Sequence, residues 1–233
     1  MGNRKTRVIL VTDGDRAAQA SVEAAAKNVG GRVISASAGN PTPLSGEAIL
    51  ELVRMTPYDP VLVMVDDRGN RGKGPGEQAL EALAHADDVS IIGAVAVAAD
   101  TTRVAGAPVQ TSVDLKGRIV EGAVDKEGVP DNSGDWRIRG DTVDVLAHLG
   151  IPVLIGMGDP GKVSRDDSPE QGAKITTRAV QAVLEQWEQL QSKQRGNDAS
   201  NGKRNDAGSD ARSDAGRGAG NGGVDGANAP MVT

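Results

Sequence analysis

The sequence predicts a three-layer α/β fold: a mainly parallel sheet with helices on both faces, a β-hairpin insertion and a disordered C-terminal tail. Two observations support this prediction. Short, continuous apolar runs alternate with amphipathic helical segments, and such runs are typical of parallel strands that are covered on both faces. The last forty residues, by contrast, are polar, rich in glycine and almost without apolar side chains larger than alanine.

Five apolar runs bounded by polar or glycine-containing turns are predicted as parallel strands. They are 7–11, 32–37, 61–65, the segment "VSIIGAVAVA" and the segment "IPVLIGMGD". Five helices are predicted between and after them, at 16–29, 46–55, 75–86, 141–149 and 176–191. Ser45 is the expected N-cap of the second helix, Pro75 suits the first turn of the third, and Asp141 or Thr142 is expected to cap the fourth.

The segment "VQTSVDLKGRIVEGAV" alternates apolar and polar residues and turns at Lys116 and Gly117, which predicts a β-hairpin. We therefore expect one α/β domain over residues 5–193, with a hairpin insertion at about 108–139. Residues 194–233 form a low-complexity segment that buries too little apolar surface to offset its chain entropy, so a disordered tail is predicted there.

Composition excludes several classes of protein. The 233-residue chain has a net charge of −6, which disfavours binding to nucleic acid. It has no cysteine, which rules out disulfides and a thiolate nucleophile, and its only two histidines, His85 and His148, disfavour a histidine-rich metal site. No apolar run approaches ~18 residues, so no transmembrane segment is predicted. The N-terminus reads as a first strand and not as a signal peptide, and a soluble protein is expected.

Acidic residues follow several of the predicted strands, at the edge where parallel sheets bind ligands. Hard cations such as Mg²⁺ or Ca²⁺ take carboxylate oxygens, so the acids are candidate metal ligands. The main candidates are Asp13, Asp15, Asp66 and Asp67, with Asp159 after the last strand. The same residue type also caps helices and closes turns, and the sequence leaves both roles open.

Two loops at the same edge supply candidate ligand-binding residues. The loop "GNPTPLSG" offers Asn40 and Thr42, and the glycine-rich loop after the third strand offers Arg68 and Lys73. A glycine-rich turn at a helix start presents backbone N–H groups to anions, but Lys73 is followed by Gly74 and not by the Ser or Thr of a Walker motif.

The order of elements is Rossmann-like, and the acids resemble the Toprim fold, in which an acid after the first strand and an Asp-rich motif after the third hold magnesium. Two departures weaken a catalytic interpretation: Asp13 stands where that fold has Glu, and "VDDRGN" is not a clean Asp-X-Asp. A metal-dependent phosphoryl-transfer enzyme is therefore the alternative. A non-enzymatic role is favoured, because the chain has no catalytic set based on His, Cys or Ser.

Long blocks resemble the soluble stage V sporulation protein AE family of spore-forming Firmicutes, over roughly residues 5–190. They begin with "VILVTDGDRAAQASVEAAAKNVGG", continue with "YDPVLVMVDDRGNRGKGPGEQAL" and "GDTVDVLAHLGIPVLIGMGDPGK", and end with "GAKITTRAVQAVLEQW". The resemblance implies an accessory of the spore channel that moves calcium dipicolinate. It also implies membrane-protein partners, a peripheral position at the spore inner membrane and a part in sporulation and germination. A binder of calcium dipicolinate itself is a further alternative, with Arg68, Arg71 or Lys73 facing the anion.

Overall fold

A computed structural model describes residues 5–68, 74–100, 104–140 and 142–206, with side chains described as far as residue 197. Seven strands form one sheet in the order β2-β3-β1-β4-β9-β6-β7, and a separate two-stranded ribbon pairs β5 with β8. The strands are β1 Thr6–Val11, β2 Arg32–Val33, β3 Val61–Met64, β4 Val89–Val97, β5 Ala107–Pro108, β6 Thr111–Val113, β7 Ile119–Glu121, β8 Arg137–Ile138 and β9 Leu154–Met157. Every described pairing in the large sheet is parallel except β6 with β7.

The helices are α1 Arg16–Asn28, α2 Gly46–Met55, α3 Pro75–Ala84, α4 Val143–Leu146 and α5 Lys174–Asp206. Alternate residues of each central strand point to opposite faces, as a pleated strand requires. Val8 and Leu10 of β1 join a core with α2, α3 and α4, while Ile9 and Val11 join a second core with α1 and α5. The predicted three-layer α/β fold is confirmed.

The hairpin is confirmed and is part of the main sheet, because β6 pairs in parallel with β9 while β7 folds back on β6. Asp114 closes the turn: one carboxylate oxygen accepts the N–H groups of Lys116 and Arg118, both at 2.9 Å. Gly117 has a φ of 73°, in the left-handed region that glycine tolerates.

Several predicted elements have different bounds in the structure, and three of them illustrate why. The second strand was predicted for 32–37, but a short 3₁₀ turn at Ser35–Ser37 ends it early. The fourth helix is one turn long. Thr142 occupies its N-cap position, as one of the two predicted alternatives, but makes no side-chain cap hydrogen bond, and Asp141 lies outside the described residues. Helix α5 runs to Asp206, past the predicted end at 191, because no proline interrupts it and propagation adds one hydrogen bond per residue.

The chain divides into a compact unit of residues 1–191 and a remainder of 192–233. Because helix α5 ends at Asp206, it includes the first thirteen residues of the predicted tail, 194–206. Residues 207–233, most of that tail, lie outside the described residues. No helix among the described residues is both long enough and apolar enough to cross a membrane.

Candidate functional site

The carboxyl ends of four neighbouring strands, β3, β1, β4 and β9, border a cleft of about 300 Å³. We call it the acid cleft, because acids supply much of its lining. The lining residues are Thr12, Asp13, Asp15, Asn40, Asp66, Val97, Ala98, Ala99, Asp100, Lys126 and Asp159. The structure thus brings together acids that lie far apart in the sequence, as the parallel arrangement predicted.

The loop Asp13-Gly14-Asp15 both caps a helix and lines the cleft. The Asp15 carboxylate accepts the N–H of Ala18 at 2.8 Å, which makes it the N-cap of α1. Asp13 accepts the N–H of Asp15 at 3.0 Å and so holds the loop in place. The two roles that the sequence left open are therefore compatible at this loop.

Gly14 is required by the close approach of two loops. A Cβ atom at this position would lie 2.0 Å from the carbonyl oxygen of Gly39, in the loop that follows β2. Any larger residue would push that loop away, and Asn40, which lines the cleft, with it. The glycine between the two acids thus allows the loops after β1 and β2 to approach each other closely.

Asp159 follows β9 and completes a group of three carboxylates with Asp13 and Asp15. One oxygen from each lies within 4.8 Å of the others, and among the described residues this is the group with a spacing that suits a metal ion. Asp159 is positioned by its N–H, which donates to the carbonyl oxygen of Lys126 at 2.9 Å.

Lys162 supplies a positive charge to this group. Its ammonium lies 3.1 Å from each carboxylate oxygen of Asp159, and it also contacts the carboxylate of Asp15. Sequence reasoning missed this lysine. The available signal was its position three residues after Asp159, across a turn that contains Pro160 and Gly161.

Burial and neighbouring charges shift the pKa values of two acids of the cleft in opposite directions. Burial, with the charges of Asp15, Asp159 and Asp66, raises the pKa of Asp13 from 3.8 to about 7. Burial also acts to raise the pKa of Asp15, but hydrogen bonds from Lys162 and from Ala18 outweigh it, and the pKa is lowered. The pKa of Lys162 is raised: burial acts to lower it, but Asp15 and Asp159 prevail.

Asp66 lines the cleft from the end of β3, and its carboxylate accepts the N–H of Arg68 at 2.8 Å. Thr42 is buried and bonds to the Asp66 backbone: its hydroxyl accepts the N–H at 2.8 Å and donates to the carbonyl at 3.1 Å. Thr42 therefore fixes the loop to β3. Arg68 is exposed, with a φ of 53°. Of the predicted ligand-binding residues, Asn40 lines the cleft, while Lys73 lies outside the described residues.

Asp67 follows Asp66 in the chain, but its carboxylate contacts the start of α3. Its carboxylate accepts the N–H of Gly76 at 2.6 Å and the N–H of Glu77 at 3.1 Å, at the start of α3. Gly74 makes this possible, because a Cβ there would lie 2.2 Å from the Asp67 carboxylate. Asp67 is buried and does not line the acid cleft, so its described contacts are those of a helix cap.

A family model described as stage V sporulation protein AE1 matches residues 7–187. The chain belongs to the stage V sporulation protein AE1 family. The match runs from β1 into α5 and includes every acid of the cleft, and the family resemblance seen in the sequence is confirmed. A search of curated proteins and a search of solved structures each found no match. Membership of the AE1 family makes this a sporulation-related protein.

Proposed function

We propose that this sporulation protein is a peripheral accessory of the channel that moves calcium dipicolinate, and that its acid cleft binds the divalent cation of that cargo. The observation that carries the proposal is the group formed by Asp13, Asp15 and Asp159, whose oxygens lie within 4.8 Å of one another in a solvent-facing cleft. Family membership supplies the sporulation context.

The donor set suits a hard cation. Ca²⁺ takes about six to eight oxygen ligands, and carboxylates are the protein ligands it uses most. Asp13, Asp15 and Asp159 would hold the ion, with Asp66 and Asn40 on the same lining. Three carboxylates leave positions for water or for a bound anion, so the cleft suits an ion that arrives with other ligands.

Docking on membrane-protein partners is the second part of the proposal. Large apolar side chains are exposed at several places on the described surface, among them Met55 (80% exposed) and Tyr58 (48%) beside β2, and Trp136 (48%) beside the hairpin. Exposed side chains of this size are common at protein interfaces. A position at the spore inner membrane would follow from such partners.

Calorimetric titration of the full chain with CaCl₂, MgCl₂ and calcium dipicolinate tests the cation site. We expect Ca²⁺ to bind, and the double variant Asp13→Asn, Asp159→Asn to lose that binding. Asp166→Asn is the matched control, because Asp166 is exposed and lies outside the cleft lining. Absence of heat from the wild-type chain with every ligand would refute the cation site.

A phosphoryl-transfer enzyme remains a second candidate, favoured by the environment of Asp13. A carboxylate with a pKa of about 7 beside Asp66 can take up a proton near neutral pH while other acids hold Mg²⁺. The two candidates separate in an assay of phosphate-ester hydrolysis with Mg²⁺. An enzyme would show turnover that Asp66→Asn abolishes at unchanged melting temperature, whereas an accessory protein would show none.

A further inference from the structure

The side chain of Lys162 already places a positive charge on two acids that line the acid cleft. Its ammonium lies 3.1 Å from both oxygens of Asp159 and contacts Asp15, so it binds two of the three carboxylates that would hold a divalent ion. A lysine ammonium is positively charged at neutral pH. A second cation on the same oxygens would face that charge at a distance of a few ångströms.

The backbone that carries Lys162 is held independently of its side chain. The N–H groups of Lys162 and Val163 donate to the carbonyl of Asp159 at 3.1 and 2.8 Å, which closes the turn. The N–H of Gly161 donates to the buried carboxylate of Asp167 at 2.7 Å. Asp167 also caps the start of α5 through the N–H of Thr176 at 2.7 Å, so the turn is tied to the body of the domain.

The side chain of Lys162, in contrast, can exchange its contacts with the two carboxylates for contacts with water at a small cost in free energy. Lys162 is 46% exposed, and its partners Asp15 and Asp159 are 35% and 31% exposed. Ion pairs this close to solvent contribute little to stability. The ammonium can therefore leave the carboxylates for water while the turn, Asp159 and the helix cap stay in place.

We propose that Lys162 determines the cation affinity of the acid cleft: a divalent ion binds only by displacing the Lys162 ammonium from Asp15 and Asp159. This inference rests on the proposed cation site, and it adds that Lys162 competes with the divalent ion for the carboxylates of Asp15 and Asp159. Because the lysine has to be displaced first, the cleft fills only where the divalent ion is abundant.

Titration of the full-length wild type, Lys162→Met and Lys162→Arg with CaCl₂ at constant ionic strength tests the inference. We expect Lys162→Met to bind Ca²⁺ about tenfold more tightly than the wild type, the size typical of a coupling between adjacent sites. Lys162→Arg keeps the charge and should remain near the wild type. Lys174→Met is the control for net charge, because Lys174 pairs with Asp166 away from the cleft; it should bind like the wild type.

The outcomes separate this inference from the cation site itself. Wild-type binding with equal or weaker binding by Lys162→Met would overturn the competition and leave the site standing. An absence of binding by both chains would overturn both proposals, whereas binding by Lys162→Met alone would support the competition and overturn the cation site of the wild-type chain. Circular dichroism checks that each variant is folded. If Lys162→Met does not fold, Lys162→Gln is used in its place.

Discussion

At the residue scale, Asp13 shows how one buried acid couples stability to pH. Its pKa is about 7 in the folded chain and near 3.8 when unfolded, so the folded state holds the proton more tightly. The stability that this proton confers is complete below pH 4 and is lost as the pH rises towards 7. Since each pKa unit corresponds to about 1.4 kcal/mol, the difference between 3.8 and about 7 corresponds to a loss of roughly 4 kcal/mol.

Asp13→Asn should therefore gain stability over the wild type as the pH rises from 4 to 7.5, because asparagine stays neutral and can still accept the N–H of Asp15. Urea unfolding at both pH values measures the difference. The control is Asp166→Asn, at an exposed position, for which we expect no such trend. A constant difference between the Asp13→Asn variant and the wild type at the two pH values would contradict the raised pKa.

Asp67 gives a second prediction at this scale, which tests the cap against the metal-ligand hypothesis. Asp67→Ala should destabilise the chain by about 2 kcal/mol, because the N–H groups of Gly76 and Glu77 lose their acceptor in a buried setting. Ser45→Ala, at the exposed cap of α2, should cost less. Under conditions in which the Asp67→Ala variant is folded, its Ca²⁺ affinity should equal that of the wild type. A large loss of affinity would show instead that Asp67 is a metal ligand.

At the element scale, the loops after β1 and β2 contact each other at Gly14 and Gly39, next to residues that line the cleft. Gly14→Ala places a Cβ 2.0 Å from the carbonyl of Gly39, and the backbone has to move. We expect a loss of about 3 kcal/mol in the free energy of unfolding, at the upper end for overpacking. Gly196→Ala in α5 is the matched control, since a Cβ there meets nothing within 4 Å. Equal melting temperatures for the two variants would show that the loops do not touch.

The same scale shows what the sequence can predict. The apolar runs of β1, β3 and β4 identify buried parallel strands, and Asp114, Lys116 and Gly117 mark the hairpin turn. Neighbouring strands cannot be read from such local patterns, so the pairing of β6 with β9 was not foreseen. Lys162 was missed for the same reason: its contact with Asp15 spans 147 residues and depends on strand order.

At the scale of the whole molecule, the acid cleft is a product of topology. Asp13 and Asp159 lie 146 positions apart, and they meet because β1 and β9 both flank β4 and run in the same direction. Sequence reasoning could place each acid at a strand end, but only the sheet order decides which ends adjoin. Asp67, one residue from Asp66, was assigned to the same group, yet it caps α3.

The division of the chain after residue 191 leads to a last prediction. The buried side chains of α5 end at Val183, and residues 192–197 are exposed, so cutting the chain after Lys193 removes no described buried side chain. We expect the shortened chain to unfold within about 2 °C of the full chain, with a smaller helical signal in circular dichroism because 194–206 are lost. Its Ca²⁺ affinity should be unchanged, since every residue of the cleft precedes the cut. A drop of more than about 5 °C would show instead that the removed segment stabilises the domain.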